Sequence, residues 1–337
     1  MIKIEAKIPE NPIFIVSSGR AGTTLLRSII NRTKQVYIPF ESDFVARGYP
    51  YFGNVKSFDK HTLTQTTNLF MRAALGIGWK MERDEILNVL KHNSPDSFAK
   101  INHIIYSFYL HHNDITGKTW AIKTPVLIEN LDRIIKTFPN ARVVHLVRDG
   151  RDVCLSYKNV HQVRQGTDRF GPRSLLANAL FWVDGLRRVK KFKVTHEELF
   201  ELRYEDMVSK PEQTITRLFN FLDIPFDPSV LENENLADKF FLNTKRPTIH
   251  QNIGKPLLKT NIHKYKRQMP KRDRLVYELI NNPFLKKYGY DIEFSFTNWI
   301  IFDIIRIPMY IAAQVFNNFK NRKKDKRYFE EAMSQYN

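Results

Sequence analysis

The residues with the clearest chemical potential form a short turn near the start of the chain. Its members are Ser18, Gly19, Arg20, Ala21, Gly22, Thr23 and Thr24, between an apolar stretch and leucines and isoleucines at helical spacing. A turn from strand to helix presents backbone N–H groups and the positive helix end to an anion. The glycines allow close backbone approach, and the arginine and the threonine hydroxyls add charge and donors. This pattern predicts a phosphate-binding turn, the alternative being a turn that merely starts a helix.

The turn differs from the phosphate loop of many kinases. That loop has the pattern GxxxxGK[ST], and the six residues after Gly19 contain no Gly-Lys pair. The missing lysine argues against a Mg-ATP kinase. A nucleotide or small-molecule kinase stays an alternative function, because it would share a strand–loop–helix site.

A second basic junction follows the strand-like run at 142–147 (RVVHLV). Arg148 begins the string RDGRD, and Ser156 lies eight residues later in a helical pattern. Two anion sites at the carboxyl ends of two parallel strands imply a ligand with phosphates at two places. The alternative to phosphate binding is that the two arginines of the string form surface salt bridges with its two aspartates.

The elements that position these junctions alternate between strand and helix. Strand-like runs occur at 12–17, 120–122, 142–147 and 200–203, with helical patterns at 23–31, 127–138 and 211–221. This spacing is typical of parallel sheets. We therefore expect an α/β, P-loop-like three-layer fold, with a central parallel sheet flanked by helices. The expected domain covers residues 1–295, with a helical insert at about 55–115, and a C-terminal helical extension covers 296–337.

The composition predicts a globular protein with an anionic partner. The 337 residues include 53 Lys+Arg against 35 Asp+Glu, a formal charge of +18, and 42% hydrophobic residues, which excludes a disordered polycation. The single cysteine, Cys154, can form neither an intrachain disulfide nor a cysteine metal cluster. The histidines show no metal-ligand spacing, so no metal site is predicted. Because the N-terminus lacks a secretory pattern, we expect a cytoplasmic protein.

The region after residue 295 differs in character. Residues 299–316 are largely apolar, and 320–327 carry six basic residues against one acidic residue. Asp303, Arg306 and Pro308 argue against a transmembrane helix. The alternatives are an interfacial helix that makes the protein peripheral at a membrane, and packing on its own domain or on a second subunit of a homodimer. The basic run lacks the interleaved aromatics of a nucleic-acid groove, so no nucleic acid is expected as a partner.

Together these motifs resemble sulfotransferases that use 3′-phosphoadenosine 5′-phosphosulfate (PAPS). PIFIVSSGRAGTTLL looks like their 5′-phosphosulfate loop, and VVHLVRDGRDVCLSY looks like their 3′-phosphate motif. Three further blocks resemble the family: Lys123-Thr124-Pro125, Arg203-Tyr204-Glu205-Asp206, and NIHKY at 261–265. The resemblance covers most of residues 12–292 and leaves out the region from about residue 300.

The resemblance implies roles for individual residues. Arg20 would contact the 5′-phosphate and the bridging oxygen, Lys123 would contact the sulfuryl oxygens, and the turn from Ser18 to Thr24 would hold the 5′-phosphate. The remaining implied contacts are Arg148 and Ser156 for the 3′-phosphate, Tyr204 near the adenine and Lys264 over the nucleotide. No metal is required if these cations neutralise the developing charge.

The general base is where the chain departs from many cytosolic sulfotransferases. Those enzymes have Lys on the first loop and a His base in a Lys-Thr-His element, whereas this chain has Arg20 and Pro125. Glu41 follows a strand-like run at 35–39 (QVYIP), which comes after the first helix. This position places Glu41 at the same end of the sheet as Arg20. This arrangement resembles the protein-tyrosine sulfotransferase branch, with an Arg loop and a Glu base. Asp43 is the alternative base, and a loop cap or a salt bridge to Arg47 is the structural alternative for both carboxylates.

The expected function is transfer of a sulfuryl group from PAPS to an acceptor hydroxyl, with PAP as product. The acceptor is a carbohydrate, a lipid or small-molecule alcohol, or a tyrosine. The remaining alternative is a non-catalytic, PAP-binding protein at a membrane surface, which would keep no working base.

Overall fold

A parallel sheet forms the centre of the computed structural model, which describes residues 2–4, 7–74, 79–163, 171–232, 259–294 and 299–335. The strands within these ranges are β1 (Ile13–Val16), β2 (Val36–Tyr37), β3 (Thr119–Lys123), β4 (Arg142–Val147) and β5 (Leu199–Arg203). Their order is β2-β3-β1-β4-β5, and each neighbouring pair is parallel. The prediction of an α/β fold with a central parallel sheet is confirmed.

Helices connect the strands and cover both faces of the sheet. They are α1 (Thr23–Asn31), α2 (Phe44–Phe52), α3 (Lys60–Ala73), α4 (Arg83–Asn93), α5 (Phe98–His112), α6 (Leu131–Thr137), α7 (Gly150–Val163), α8 (Leu175–Lys193), α9 (Tyr204–Ser209), α10 (Pro211–Leu222), α11 (Lys264–Gln268), α12 (Lys271–Lys287) and α13 (Trp299–Ser334). Short 3-10 helices cover Pro125–Asn130, Pro228–Leu231 and Lys259–Asn261. The single helix predicted at 127–138 is divided, because Asn130 leaves the helical region (φ −137°, ψ 37°) before α6 begins.

The alternating side chains of β1 build two separate cores. Phe14 and Val16 pack in a cluster with residues of α2 to α6 and α8, whereas Ile13 and Ile15 pack with residues of α1, α9 and α10. Successive side chains of a strand point to opposite faces, so a strand buried on both sides becomes continuously apolar. The result is the predicted three-layer arrangement of helices, sheet and helices.

The predicted helical insert consists of α3, α4 and α5. Polar side chains fix where these helices begin: Asp59 accepts a hydrogen bond from the Thr62 N–H at 2.7 Å, and Ser97 accepts one from the Lys100 N–H at 3.3 Å. The insert contacts the edge of the sheet, where the Tyr109 ring stacks on Tyr37 at 6.4 Å. The helical layer therefore covers the β2 side of the sheet.

The last helix, α13, packs against α2, α3, α8 and α12. Asp325 is buried between Arg47 and Arg133, and the Phe329 ring stacks on Tyr51 at 3.9 Å. One face of the C-terminal extension thus packs on the same chain. The boundary predicted between residues 295 and 296 lies outside the described residues. Among the described residues, no helix combines the length and apolar character that crossing a membrane requires.

Candidate active site

The turn between β1 and α1 has an unusual backbone conformation. Gly19, Arg20 and Gly22 have φ values of +76°, +52° and +98°, all in the left-handed region. Ser17 Oγ fixes the turn by accepting a hydrogen bond from the Gly19 N–H at 3.0 Å. In the described residues, the first turn of α1 has no side-chain cap and no acidic residue. Its N–H groups and helix end therefore suit an external anion.

The two glycines of this turn also permit close packing. A Cβ atom at Gly19 would lie 2.2 Å from the Tyr157 hydroxyl, and one at Gly22 would lie 2.5 Å from the Tyr204 ring. Tyr157 donates a hydrogen bond to the Ser18 carbonyl at 3.1 Å. The turn is thus held directly against α7 and α9, and a side chain at either glycine would displace it.

Arg148, at the end of β4, joins the second junction to the first. Its guanidinium donates to the Arg20 carbonyl at 3.2 Å and to the Asn261 carbonyl at 2.7 Å. The same group lies over the Tyr204 ring at 4.5 Å. Among the described residues, no atom accepts a hydrogen bond from the buried Nε of Arg148. A buried donor without an acceptor costs free energy, so the arrangement suits an anion at this position.

The other arginine of the RDGRD string has a different role. Arg151 forms buried ion pairs with Asp149 at 2.7 Å and with Glu278 at 2.5 Å. Arg148 lies 3.7 Å from Asp152, which is also buried. The aspartates of the string do pair with its arginines, but inside the protein and not at its surface. Arg151 fastens the start of α7 to α12.

The two predicted phosphate sites adjoin each other. Arg20 Nε, from the first turn, donates a hydrogen bond at 3.1 Å to Oγ of Ser156, from α7. Lys264 is half-buried at the start of α11, and burial and the neighbouring Arg148 lower its pKa. The neighbouring N–H of Tyr265 donates to Asp152 at 2.8 Å and so anchors α11 to α7. The late NIHKY block therefore lies beside the second junction.

Glu41 and Lys123 form an ion pair at the same end of the sheet. Ile15 is the register partner of Lys123, which places the lysine next to the end of β1. The side chain of Lys123 is buried, whereas that of Glu41 is 39% exposed. Burial lowers the pKa of Lys123, the Glu41 carboxylate opposes this, and Arg27 and Arg20 lower the pKa further. The pair therefore combines a buried cation with an accessible carboxylate.

The backbone that carries Glu41 is fixed on both sides. The Thr124 hydroxyl accepts a hydrogen bond from the Ser42 N–H at 3.2 Å and donates one to the Ser42 carbonyl at 2.9 Å. Trp79 donates its indole N–H to the Glu41 carbonyl at 3.3 Å. These contacts connect the segment to β3 and to the helical insert. The backbone that carries the Glu41 carboxylate is therefore held in a fixed position.

Asp43, the alternative base, occupies a different environment. It is buried, and its carboxylate accepts a hydrogen bond from Arg47 Nε at 3.0 Å. Arg47 in turn pairs with Asp325 of α13. The salt bridge that was the structural alternative is thus observed for Asp43, and Glu41 is the carboxylate beside Lys123.

Two residues of the site were not assigned roles from the sequence. Arg27 is buried, donates to the Ile38 carbonyl at 2.8 Å, and lies over the Phe40 ring at 4.7 Å. The sequence feature that could have indicated this role is a single arginine among the leucines and isoleucines of α1. Thr124, which holds the Glu41 segment, lay within the Lys-Thr-Pro block, but nothing local indicated its hydroxyl's partner.

Sequence comparisons agree with this geometry. The model of the sulfotransferase family matches residues 12–228. Protein-tyrosine sulfotransferase A of Caenorhabditis elegans is 24% identical over 282 residues, which cover 83% of this chain and 67% of that protein. An uncharacterized protein of Aquifex aeolicus is 25% identical over 304 residues, which cover 84% of this chain. The chain spans only about a third (34%) of the Aquifex protein's length.

A structural comparison gives the same fold. The sulfotransferase domain from the curacin biosynthetic pathway has a TM-score of 0.56 at 19% identity, and the match covers 85% of this chain and 100% of that domain. The family match extends over both phosphate-type junctions, the Glu41–Lys123 pair and β5. The chain therefore belongs to the sulfotransferase family.

Proposed function

We propose that this protein transfers the sulfuryl group of PAPS to an acceptor hydroxyl, with Glu41 as the general base. The observation that carries the proposal is the Glu41–Lys123 pair at the end of the sheet that also holds the phosphate-type turn. A base, a buried cation and an anion-binding turn lie together there. These are the parts that in-line transfer to a hydroxyl requires.

The residues at the two junctions fit PAPS, which carries negative groups at both its 5′ and 3′ positions. The turn from Ser18 to Thr24 would hold the 5′ end, because the start of α1 has no internal cap in the described residues. Arg148 and Ser156 would hold the 3′-phosphate, which would give the buried Arg148 Nε an acceptor. Tyr204, packed between Gly22 and Arg148, and Lys264 would complete the nucleotide site.

The chain's own residues divide the chemistry between them. PAPS supplies the sulfuryl group, whose sulfur bonds to the acceptor oxygen as its bond to the 5′-phosphate oxygen breaks and PAP leaves. Glu41 takes the proton of the acceptor hydroxyl. Lys123 and Arg20 stabilise negative charge on the oxygens around the sulfur and on the departing phosphate. Thr124 keeps Glu41 in place through Ser42.

We propose a hydroxyl acceptor of the tyrosine, carbohydrate or lipid-alcohol class. The name of the Caenorhabditis relative supports testing tyrosine first. An acceptor panel of a tyrosine peptide, an oligosaccharide and a long-chain alcohol, each supplied with PAPS, separates the three classes. Turnover with ATP and none with PAPS would contradict the proposal in favour of the kinase alternative.

PAP is expected to stabilise the protein selectively. A ligand present at about 100 times its Kd adds about 2.7 kcal/mol to the free energy of unfolding, which for a chain of this size raises Tm by about 4 °C. ADP, ATP and NAD at the same concentration should raise it less, because none matches both phosphate positions. In the Arg148→Ala variant, PAP and ADP should raise Tm by equal amounts, since the substitution deletes the cation proposed for the 3′-phosphate. Thermal shift and calorimetric titration measure both effects, and equal stabilisation by ADP and PAP would contradict the assignment.

The lowered pKa of Lys123 predicts that activity falls at alkaline pH, which gives the pH profile an alkaline limb. Burial, together with Arg27 and Arg20, lowers this pKa from 10.5, so the ammonium loses its proton at a lower pH than an ordinary lysine does. We expect kcat/KM to fall as the pH rises through that lowered value, because the charge on the sulfuryl oxygens is then no longer stabilised.

Two substitutions test this assignment. Lys123→Arg should remove the alkaline limb, since arginine stays charged, and Lys123→Met should lower kcat about 100-fold at neutral pH. The matched control is Lys118→Met, a lysine near the opposite end of the same strand, which donates to the Asn31 carbonyl at 2.8 Å. An alkaline limb that persists in Lys123→Arg would show that another group titrates.

A further inference from the structure

The outer face of the first half of α13 is an exposed apolar stripe. Its large side chains are between 51% and 71% exposed, and they are Ile304, Ile305, Ile307, Ile311, Val315 and Phe316. The other exposed large hydrophobic residues of the described chain, Leu176 and Val194, lie outside this helix. The stripe is therefore a contiguous patch and not part of a general scatter of apolar residues.

The orientation of the helix is fixed by its opposite face. Arg306 donates to the Leu279 carbonyl at 3.3 Å, and the hydroxyl of the buried Tyr310 donates to the Ile280 carbonyl. These residues attach α13 to α12. Because the stripe residues recur at helical spacing on the other side, they point away from the domain as a group.

Between Asp303 and Glu330, the exposed charged side chains that the structure describes on this helix are basic. Between Asp303 and Glu330 the sequence contains a single acidic residue, Asp325, which is buried in the contact with Arg47. Lys323, Lys326 and Arg327 are exposed beyond the stripe. Lys326 and Arg327 make i,i+4 surface pairs with Glu330 and Glu331, which are weak and leave the basic groups accessible. An apolar face followed by a basic segment is complementary to an anionic lipid surface.

We infer that α13 docks on an anionic membrane surface through the stripe and the basic segment after it. The formal charge of +18 opposes association with a second copy of the chain. A lipid surface needs no matching shape and attracts the same charge.

Vesicle co-sedimentation tests this docking. The full chain should sediment with phosphatidylcholine vesicles that contain phosphatidylserine, less with phosphatidylcholine alone, and less at high salt. The variant Ile311→Glu/Val315→Glu should lower partitioning at least about tenfold, since it puts two charges into the apolar contact. Lys323→Gln/Lys326→Gln should lower it by about fivefold per lysine on the anionic vesicles only. Val194→Glu, at a side chain 82% exposed in another part of the surface, is the matched control and should partition like the wild type.

Each other outcome overturns the inference. If the wild-type protein stays in the supernatant, α13 does not dock on lipid. The same conclusion follows if the Ile311→Glu/Val315→Glu variant sediments as fully as the wild type does. A wild-type dimer in sedimentation equilibrium that this variant dissociates would assign the stripe to a second copy. Both substituted residues are exposed, so an unchanged Tm shows that the variant is folded. The docking result is independent of PAPS turnover.

Discussion

Glu41→Gln is expected to remove nearly all sulfuryl transfer and to leave PAP binding unchanged. The amide keeps the size and shape of the carboxylate but cannot accept the proton of the acceptor hydroxyl. General base catalysis contributes about 10²- to 10⁴-fold, and kcat should fall by this factor. The nucleotide contacts proposed for Arg148 and the first turn do not involve Glu41. Turnover with PAPS and calorimetric titration with PAP measure the two properties separately.

Asp43→Asn is the matched comparison, because it changes the neighbouring carboxylate in the same segment. Asp43 is buried against Arg47, so its loss should lower Tm and leave most of the turnover of the folded enzyme. Near-normal activity in Glu41→Gln together with loss in Asp43→Asn would assign the base to Asp43. A wild-type chain that binds PAP and turns over none of the three acceptor classes would support the non-catalytic alternative.

Asp325→Asn is expected to produce a large loss of stability. Asp325 is buried between two arginines, with Arg133 Nη2 at 2.9 Å from its carboxylate and Arg47 on its other oxygen. Removing one partner of a buried ion pair costs about 3–5 kcal/mol, and here, of the described carboxylates, Asp43 alone would remain to compensate Arg47 and Arg133. For a chain of this length the loss corresponds to a fall in Tm of about 4–7 °C. Thermal unfolding monitored by circular dichroism measures it.

Glu330→Gln is the control for this prediction. Glu330 lies on the same helix, and its pair with Lys326 is exposed, with an N–O distance of 3.8 Å. Exposed pairs contribute about 0–1 kcal/mol, so this variant should melt close to the wild type. Equal melting of the two variants would show that Asp325 is not needed to compensate the arginines.

Much of the fold could be predicted from local pattern. The β-branched and aromatic runs at β1, β3 and β4 are buried on both faces, which makes each run mostly apolar and easy to recognise. The turn at Gly19 and Gly22 was also visible, because only glycine suits both its left-handed backbone and the nearby tyrosine rings. The strand-like run that forms β2 follows α1 and leads to Glu41, so the sequence indicated at which end of the sheet Glu41 lies.

The parts that could not be predicted depend on contacts between distant residues. Arg27 has the sequence context of a surface arginine on an amphipathic helix, and its buried environment comes from Phe40 and the loop around it. Arg151 and Glu278 are separated by 127 positions, so no local pattern connects them. In α13 the sequence indicated an apolar helix with a basic end. Only the packing of Arg306 and Tyr310 shows which apolar side chains remain outside.

The contact of Asp325 with Arg47 spans 278 positions of the chain, which has a consequence for synthesis. At about 5–20 residues per second, a ribosome adds Asp325 about 14–56 s after Arg47. Until then, the segment that carries Glu41 lacks the ion pair that fastens α2 to α13, although the residues of β1 to β5 have all been made. The carboxylate proposed as the base would therefore gain this support only after residue 325 has been added, later than the strands of the sheet.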